Sequence, residues 1–154
     1  MFYGPFPEYE SRGHIQLKPL SREGFKQDLA TAGGVICNAG FELSSEAIQL
    51  GKKLLVKPLR GQVEQLSNGA ALEALGLGTV MDTLDPAIVR SWLTIPSGKQ
   101  VIYPDVAEAI AKWLQNGEWK SSNAVENLSR DLWRNTKAIG VPAFDKKQNL
   151  DTKV

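Results

Sequence analysis

The chain has 154 residues, 42% hydrophobic and 23% charged, which suits one soluble globular domain able to bury roughly two-thirds of its unfolded surface. A net charge of +1 gives no electrostatic reason to expect nucleic acid, and one cysteine with one histidine makes neither an internal disulfide nor a Cys/His zinc site. No apolar run approaches the roughly 18 residues of a membrane span, and the start "MFYGPFPEYESRG" lacks the basic-then-apolar order of a signal peptide, so the expected location is cytoplasmic.

In chain order, "MFYG" reads as the end of a strand with nothing before it, as if a first strand and helix of the domain were missing. "HIQLK" (14–18) reads as a strand. Residues 21–32 follow as a helix, with Phe25 and Leu29 four apart and Ser21 placed to cap it. "GVICN" (34–38) has the apolar, β-rich character of a buried parallel strand, and Cys37 inside it reads as inert core. The segment 42–50 predicts a helix with Leu43, Ala47 and Leu50 on one face and Gly51 as its stop. "KLLVKP" (53–58) predicts another buried strand, ended by Pro58. Residues 62–75 carry Val63, Leu66, Ala70 and Leu75 at near-helical spacing before Gly76, and "GTVMD" (78–82) predicts a short strand.

Strand–helix alternation of this kind implies an α/β fold, a Rossmann-like parallel sheet with helices on both faces. From Asp85 on the pattern changes to three amphipathic helices with no strand between them, then the polar stretch 141–154, expected to be loose. The organisation read from this is a core over 1–85 and C-terminal helices over 86–154 packing on the same domain.

The turn "NAGFE" lies between the strand 34–38 and the helix 42–50. Gly40 is expected to let the chain turn tightly and a ligand approach. The unpaired first amides of the helix, with its dipole, suit a phosphate, although any doubly wound domain has several such turns. Glu46, one turn further on, is placed to accept hydroxyl hydrogen bonds from a ribose; the plainer reading is a solvated helix glutamate. The next strand end adds Arg60, Gln62, Glu64, Gln65 and Asn68. Neighbouring acid and amide groups suit sugar hydroxyls, and Arg60 suits a diphosphate; a polar helix start is the plainer alternative. "GLGTVM" (76–81) is no dinucleotide fingerprint, since Met81 stands where the third glycine belongs and the run leads into a strand. His14, at a strand start, reads as structural.

"NAG(x)5E" followed eighteen residues later by "EQxxN" resembles the donor-binding half of GT-B nucleotide-sugar glycosyltransferases, and within them is similar to glycosyltransferase family 28 C-terminal domains, which include the bacterial lipid I N-acetylglucosaminyltransferases. The resemblance covers about residues 14–85. It implies that the family's glycine-containing turn falls on Asn38, Ala39, Gly40 and Phe41, with the helix-start amides at 41–44, that of Glu42 among them, holding the diphosphate. Ser45 and Glu46 correspond to the family's ribose-binding pair, and Glu64 and Gln65 to the pair that reads the donor sugar, with Asn68 after them. Backbone near Leu20 or Ser21 would meet uracil. Relatives of the plant type begin the turn with histidine where Asn38 stands.

The activity so implied is metal-independent hexosyl or N-acetylhexosaminyl transfer from a UDP-sugar such as UDP-GlcNAc, with no cofactor and no metal. Catalytic residues are not assigned, because the general base normally comes from an N-terminal acceptor domain. That domain would be supplied in cis or in trans, as when the dolichol-pathway transferase keeps its donor half on a separate polypeptide, and the chain alone would be inactive. The expected partners are the nucleotide-sugar and that domain, with no transmembrane segment and peripheral membrane association only through it. The helices after residue 104 resemble the family's C-terminal helices, one of which crosses back to that domain; Trp113, Trp119 and Trp133 are candidates to cover that surface, and plain core is the commoner role of aromatic residues on amphipathic helices. Two other readings share the fold: half of a sugar-nucleotide 2-epimerase, and a non-catalytic nucleotide-binding or scaffold module.

Overall fold

A computed structural model describes residues 1–96 and 99–141. The chain divides into two compact units, Met1–Gly33 and Gly34–Val154.

The first unit contains strands β1 (Phe2–Gly4), β2 (Glu10–Arg12) and β3 (Ile15–Pro19) and helix α1 (Arg22–Thr31). "MFYG" is a strand, paired parallel to β3 with Phe2 opposite Leu17. β2, which sequence reading misses, pairs antiparallel on the other side of β3. Its three residues, Glu, Ser and Arg, are all exposed and carry no apolar alternation to reveal a strand. Ser21 caps α1 as expected, its hydroxyl accepting from the Gly24 amide at 3.1 Å.

In the second unit, β4 (Gly34–Cys37), α2 (Phe41–Gln49), β5 (Lys53–Val56), α3 (Val63–Ala74) and β6 (Thr79–Val80) build a parallel sheet of order β4-β5-β6. Cys37 lies opposite Val56, and Val56 opposite Val80. The strand expected over 78–82 is thus only two residues long. β5 is the spine, because its successive side chains enter two different cores. Leu54 and Val56 join Ala47 and Ile48 of α2 and Leu72 of α3. Leu55 joins Met81 and Trp92, with Ile88 and Val89 packed against them, so α4 (Pro86–Thr94) covers the opposite face. The α/β reading with flanking helices therefore holds. β4 is less buried than its sequence suggests, with Ile36 48% exposed.

Two helices turn differently from the sequence expectation. α2 buries Ser44, Ala47 and Ile48, while Leu50 is exposed. α3 buries Gly69 and Leu72, whereas Val63, Leu66 and Ala70 face solvent. The missing side chain at 69 chooses this face: a Cβ there would sit 3.2 Å from Pro58 Cγ. Periodicity shows that a helix has sides; close backbone approach decided which side goes in. Gly51 and Gly76 do end α2 and α3, with φ of 66° and 65° and the amides of Lys52 and Leu77 reaching back to Ala47 and Leu72.

The expectation of no strand among the C-terminal helices is wrong. β7 (Gln100–Ile102) lies between α4 and α5 (Val106–Gln115), and β8 (Lys137–Ile139) follows a 3-10 turn (Glu118–Lys120) and α6 (Ala124–Asn135). The two strands pair antiparallel, Val101 opposite Ala138. Val101 is fully buried in the core with Val141, so the polar stretch expected to be loose begins with a core residue. Three residues are too few for alternation to register between two helical periods. Residues 142–154, the rest of the expected loose tail, lie outside the described residues. No helix among the described residues is long and apolar enough to cross a membrane.

Candidate functional site

All the residues singled out between 38 and 68 lie in the second unit, after the carboxyl ends of β4 and β5. Lys57 continues the ladder, its amide donating to the Cys37 carbonyl at 2.9 Å, so the two strand ends leave the sheet side by side. The turn then runs through exposed Asn38 and buried Ala39 to Gly40, the N-cap of α2. Gly40 has φ −70° and ψ 149°, which any residue adopts, so the expected tight glycine turn is not there. A Cβ at 40 would meet nothing within 4 Å, so the space before the helix start is open.

No side chain caps α2, and none caps α3, whose N-cap is Gln62. By contrast Ser21, Asp85 and Asp105 cap α1, α4 and α5. The first amides of α2 and α3 therefore have no partner from a capping side chain, and each helix start carries roughly half a positive charge. Phe41, at the first position of α2, is 69% exposed. Glu42 is exposed in the first turn, where it stabilises the helix and opposes an incoming anion. Ser45 is turned back on its own helix, its hydroxyl donating to the Phe41 carbonyl at 2.8 Å, and Glu46 is exposed.

Arg60, Gln62 and Glu64 are exposed on the loop and first turn that follow β5. Gly61 holds φ at 81°, a conformation that favours glycine. Gln65 and Asn68 behave differently. Gln65 Oε1 accepts from the Leu59 amide at 2.9 Å, and Asn68 Nδ2 donates to the Ala39 carbonyl at 3.0 Å. Gln65 thus pins the β5–α3 loop to α3, and Asn68 ties α3 to the β4–α2 turn. The structure brings the two clusters together through Asn68, and it commits one polar atom of each amide to holding the backbone.

Beneath the turn, Ser44 is buried. Its hydroxyl lies near enough to the Cys37 thiol to favour the thiolate slightly, without a hydrogen bond of good geometry. Burial outweighs this and pushes the Cys37 thiol up, so it stays protonated and unreactive as the sequence suggested. His14 is exposed at the β2–β3 turn of the first unit, with no part in this cluster. Among the described residues no group of histidine, cysteine or carboxylate side chains is arranged to hold a metal ion.

Parallel strands with crossover helices, and helix starts open beyond neighbouring strand ends, define an α/β protein of the Rossmann-like class. The profile described as "Glycosyl transferase family 1" matches residues 3–96, more than half of the chain, from within β1 past the end of α4. The chain belongs to that family. The match supports a GT-B glycosyltransferase and is coarser than the resemblance to family 28 domains. No curated protein and no solved structure matches the chain.

Proposed function

We propose that the chain is the donor-binding module of a glycosyltransferase that uses a UDP-sugar, with the acceptor domain supplied elsewhere. The observation that carries this reading is the Asn68–Ala39 hydrogen bond, which joins the two polar strand-end clusters into one surface. Open amides at residues 41–44 suit the diphosphate, and Arg60 suits its outer oxygens. Glu46 takes the ribose hydroxyls, and Glu64, with the amide nitrogen of Gln65, takes the sugar. Helix amides and a guanidinium facing a departing diphosphate stabilise its charge without a metal. Asn68 positions the surface and contacts the sugar only through its amide oxygen. Exposed Phe41, Val63 and Leu66 are apolar surface that an acceptor domain would cover.

Thermal unfolding with UDP, and with GDP and TDP for comparison, tests the reading. UDP at about a hundred times its dissociation constant should stabilise the chain by roughly 2.7 kcal/mol. If no nucleotide diphosphate or its sugar moves the transition, the donor-site reading fails. The same preparation should not transfer sugar by itself, and robust transfer by the isolated chain would remove the need for a second domain.

A further inference from the structure

A cleft of about 290 Å³ opens on α5, the 3-10 turn and α6, close to the lower end of the roughly 300–1,000 Å³ that small-molecule sites occupy. Local geometry builds it. Gly117 holds φ at 69° and turns the chain out of α5, so that the 3-10 turn and α6 come back beside Trp113. Ala124, Asn127, Leu128 and Asp131 then follow at the three- and four-residue spacing that puts side chains on one side of a helix. Ala124 is buried, and Trp113 and Leu128 are half-buried, so part of the lining is apolar. Exposed Glu118, Asn127 and Asp131 make the rest polar.

The polar groups keep capacity beyond the bonds they make inside the fold. Glu118 Oε1 accepts from Asn116 Nδ2 at 3.0 Å, which holds the side chain and leaves its other oxygen. Asp131 Oδ1 lies 3.7 Å from Arg134 Nη1, an ion pair longer than a hydrogen bond, so its charge is balanced while its oxygens can still accept. The Asn127 amide brings N–H donors as well as an acceptor. An indole face carries partial negative charge and suits weakly positive C–H groups. Donors and acceptors side by side around an aromatic wall complement a sugar ring, whose hydroxyls both donate and accept and whose axial C–H groups form an apolar face. An organic cation fits less well. It offers no acceptor to the Asn127 N–H groups, and it finds Asp131 already balanced by Arg134.

We propose that this cleft binds a neutral hexopyranose unit, its C–H face against Trp113 and Leu128 and its hydroxyls on Glu118, Asn127 and Asp131. The cleft shares no residue with the strand-end surface assigned to the donor. It gives the chain a second sugar site, independent of whether the first takes a UDP-sugar.

Titration of the full chain with methyl β-glucopyranoside, followed at the tryptophan indole N–H signals by NMR, tests this. Trp113→Phe assigns the resonance. A saturable shift at Trp113 is expected, with sorbitol, which has the hydroxyls but no ring face, binding several-fold more weakly. Asn127→Ala and Asp131→Ala should each weaken the glucoside several-fold, and Glu126→Gln, on the opposite side of α6, not at all. Tetramethylammonium should bind more weakly than the glucoside. No saturable Trp113 shift, sorbitol binding as well as the glucoside, or an affinity unchanged in both alanine variants would each overturn the proposal. So would tighter binding of tetramethylammonium, or competition by UDP. Should one alanine variant unfold, the other decides.

Discussion

Asn68 shows how a residue expected to touch a ligand can be committed to holding the backbone of a turn instead. Its amide nitrogen reaches a carbonyl on a fully buried residue, Ala39, so removing it leaves that acceptor without its partner. Asn68→Ala is expected to cost about 1 kcal/mol in urea unfolding and to weaken UDP as well as UDP-sugar, because the turn before α2 loosens. Asn68→Asp should not rescue, since a carboxylate oxygen meets a carbonyl oxygen. The two glutamates should separate differently. Glu46→Gln should weaken bare UDP by on the order of 1.5–3 kcal/mol, while Glu64→Gln should matter only when the sugar is attached. Equal losses with UDP, measured by calorimetry, would show that the two roles are misassigned. The polar types at 46, 64, 65 and 68 were legible from sequence. That Gln65 and Asn68 would each spend an atom on a loop was not, because their partners are a backbone amide and a backbone carbonyl, Leu59 and Ala39, which carry no residue signature.

Among the elements, local signals carried over where one residue's chemistry settles the matter. Ser21 caps, Gly51 and Gly76 stop helices, and the apolar runs at 34–37 and 53–56 pair in parallel. They failed where packing between elements decides, as for the inward face of α3 and for β7. The β4–β5–α4 contact is another arrangement that one sequence cannot reveal. A Cβ on Gly34 would lie 2.5 Å from Lys53 Cγ and 2.8 Å from Trp92 Cη2. Lys53 is held by three carbonyls and Trp92 is 4% exposed, so neither side chain moves aside cheaply. Gly34→Ala should therefore destabilise the second unit by about 1–3 kcal/mol, although alanine is ordinarily the better residue in a strand. Gly33→Ala, where a Cβ meets nothing within 4 Å, is the control and should be close to neutral. Chemical denaturation of the pair decides it; equal midpoints would mean that the α4 contact is looser than drawn.

At the scale of the molecule, the family match spans both compact units, yet what holds each together differs. The second unit has the two apolar cores on either side of β5. The first has one buried apolar side chain, Leu29, and a polar knot in place of a larger core. The Tyr3 hydroxyl and Lys18 Nζ both donate to Asp28 Oδ2, at 2.6 and 2.5 Å, and Tyr3 meets Phe25 edge-on at 5.2 Å. This knot joins β1, β3 and α1, and its members are too far apart in sequence for spacing to have suggested it. It should make the first unit pH-sensitive on both sides. The hydrogen bonds from Lys18, then Tyr3, hold the Asp28 carboxyl below its ordinary 3.8, so its contribution is complete above that value and lost as pH falls through the lower folded one. Desolvation, then Asp28, raises the Tyr3 phenol above 10.0, and the Asp28 hydrogen bond raises the Lys18 ammonium above 10.5. Those contributions are complete below the ordinary values and lost as pH rises through the folded ones. Hydrogen-exchange protection of the β1–β3 ladder, corrected for intrinsic rates, should therefore be flat from about pH 5 to 9 and fall at either side, below about pH 4 and above about pH 10. Asp28→Asn should lower the plateau and remove the acid fall, because the amide has no proton to gain there. A wild-type ladder whose protection is constant from pH 3 to pH 9 would mean that the knot does not hold the unit together.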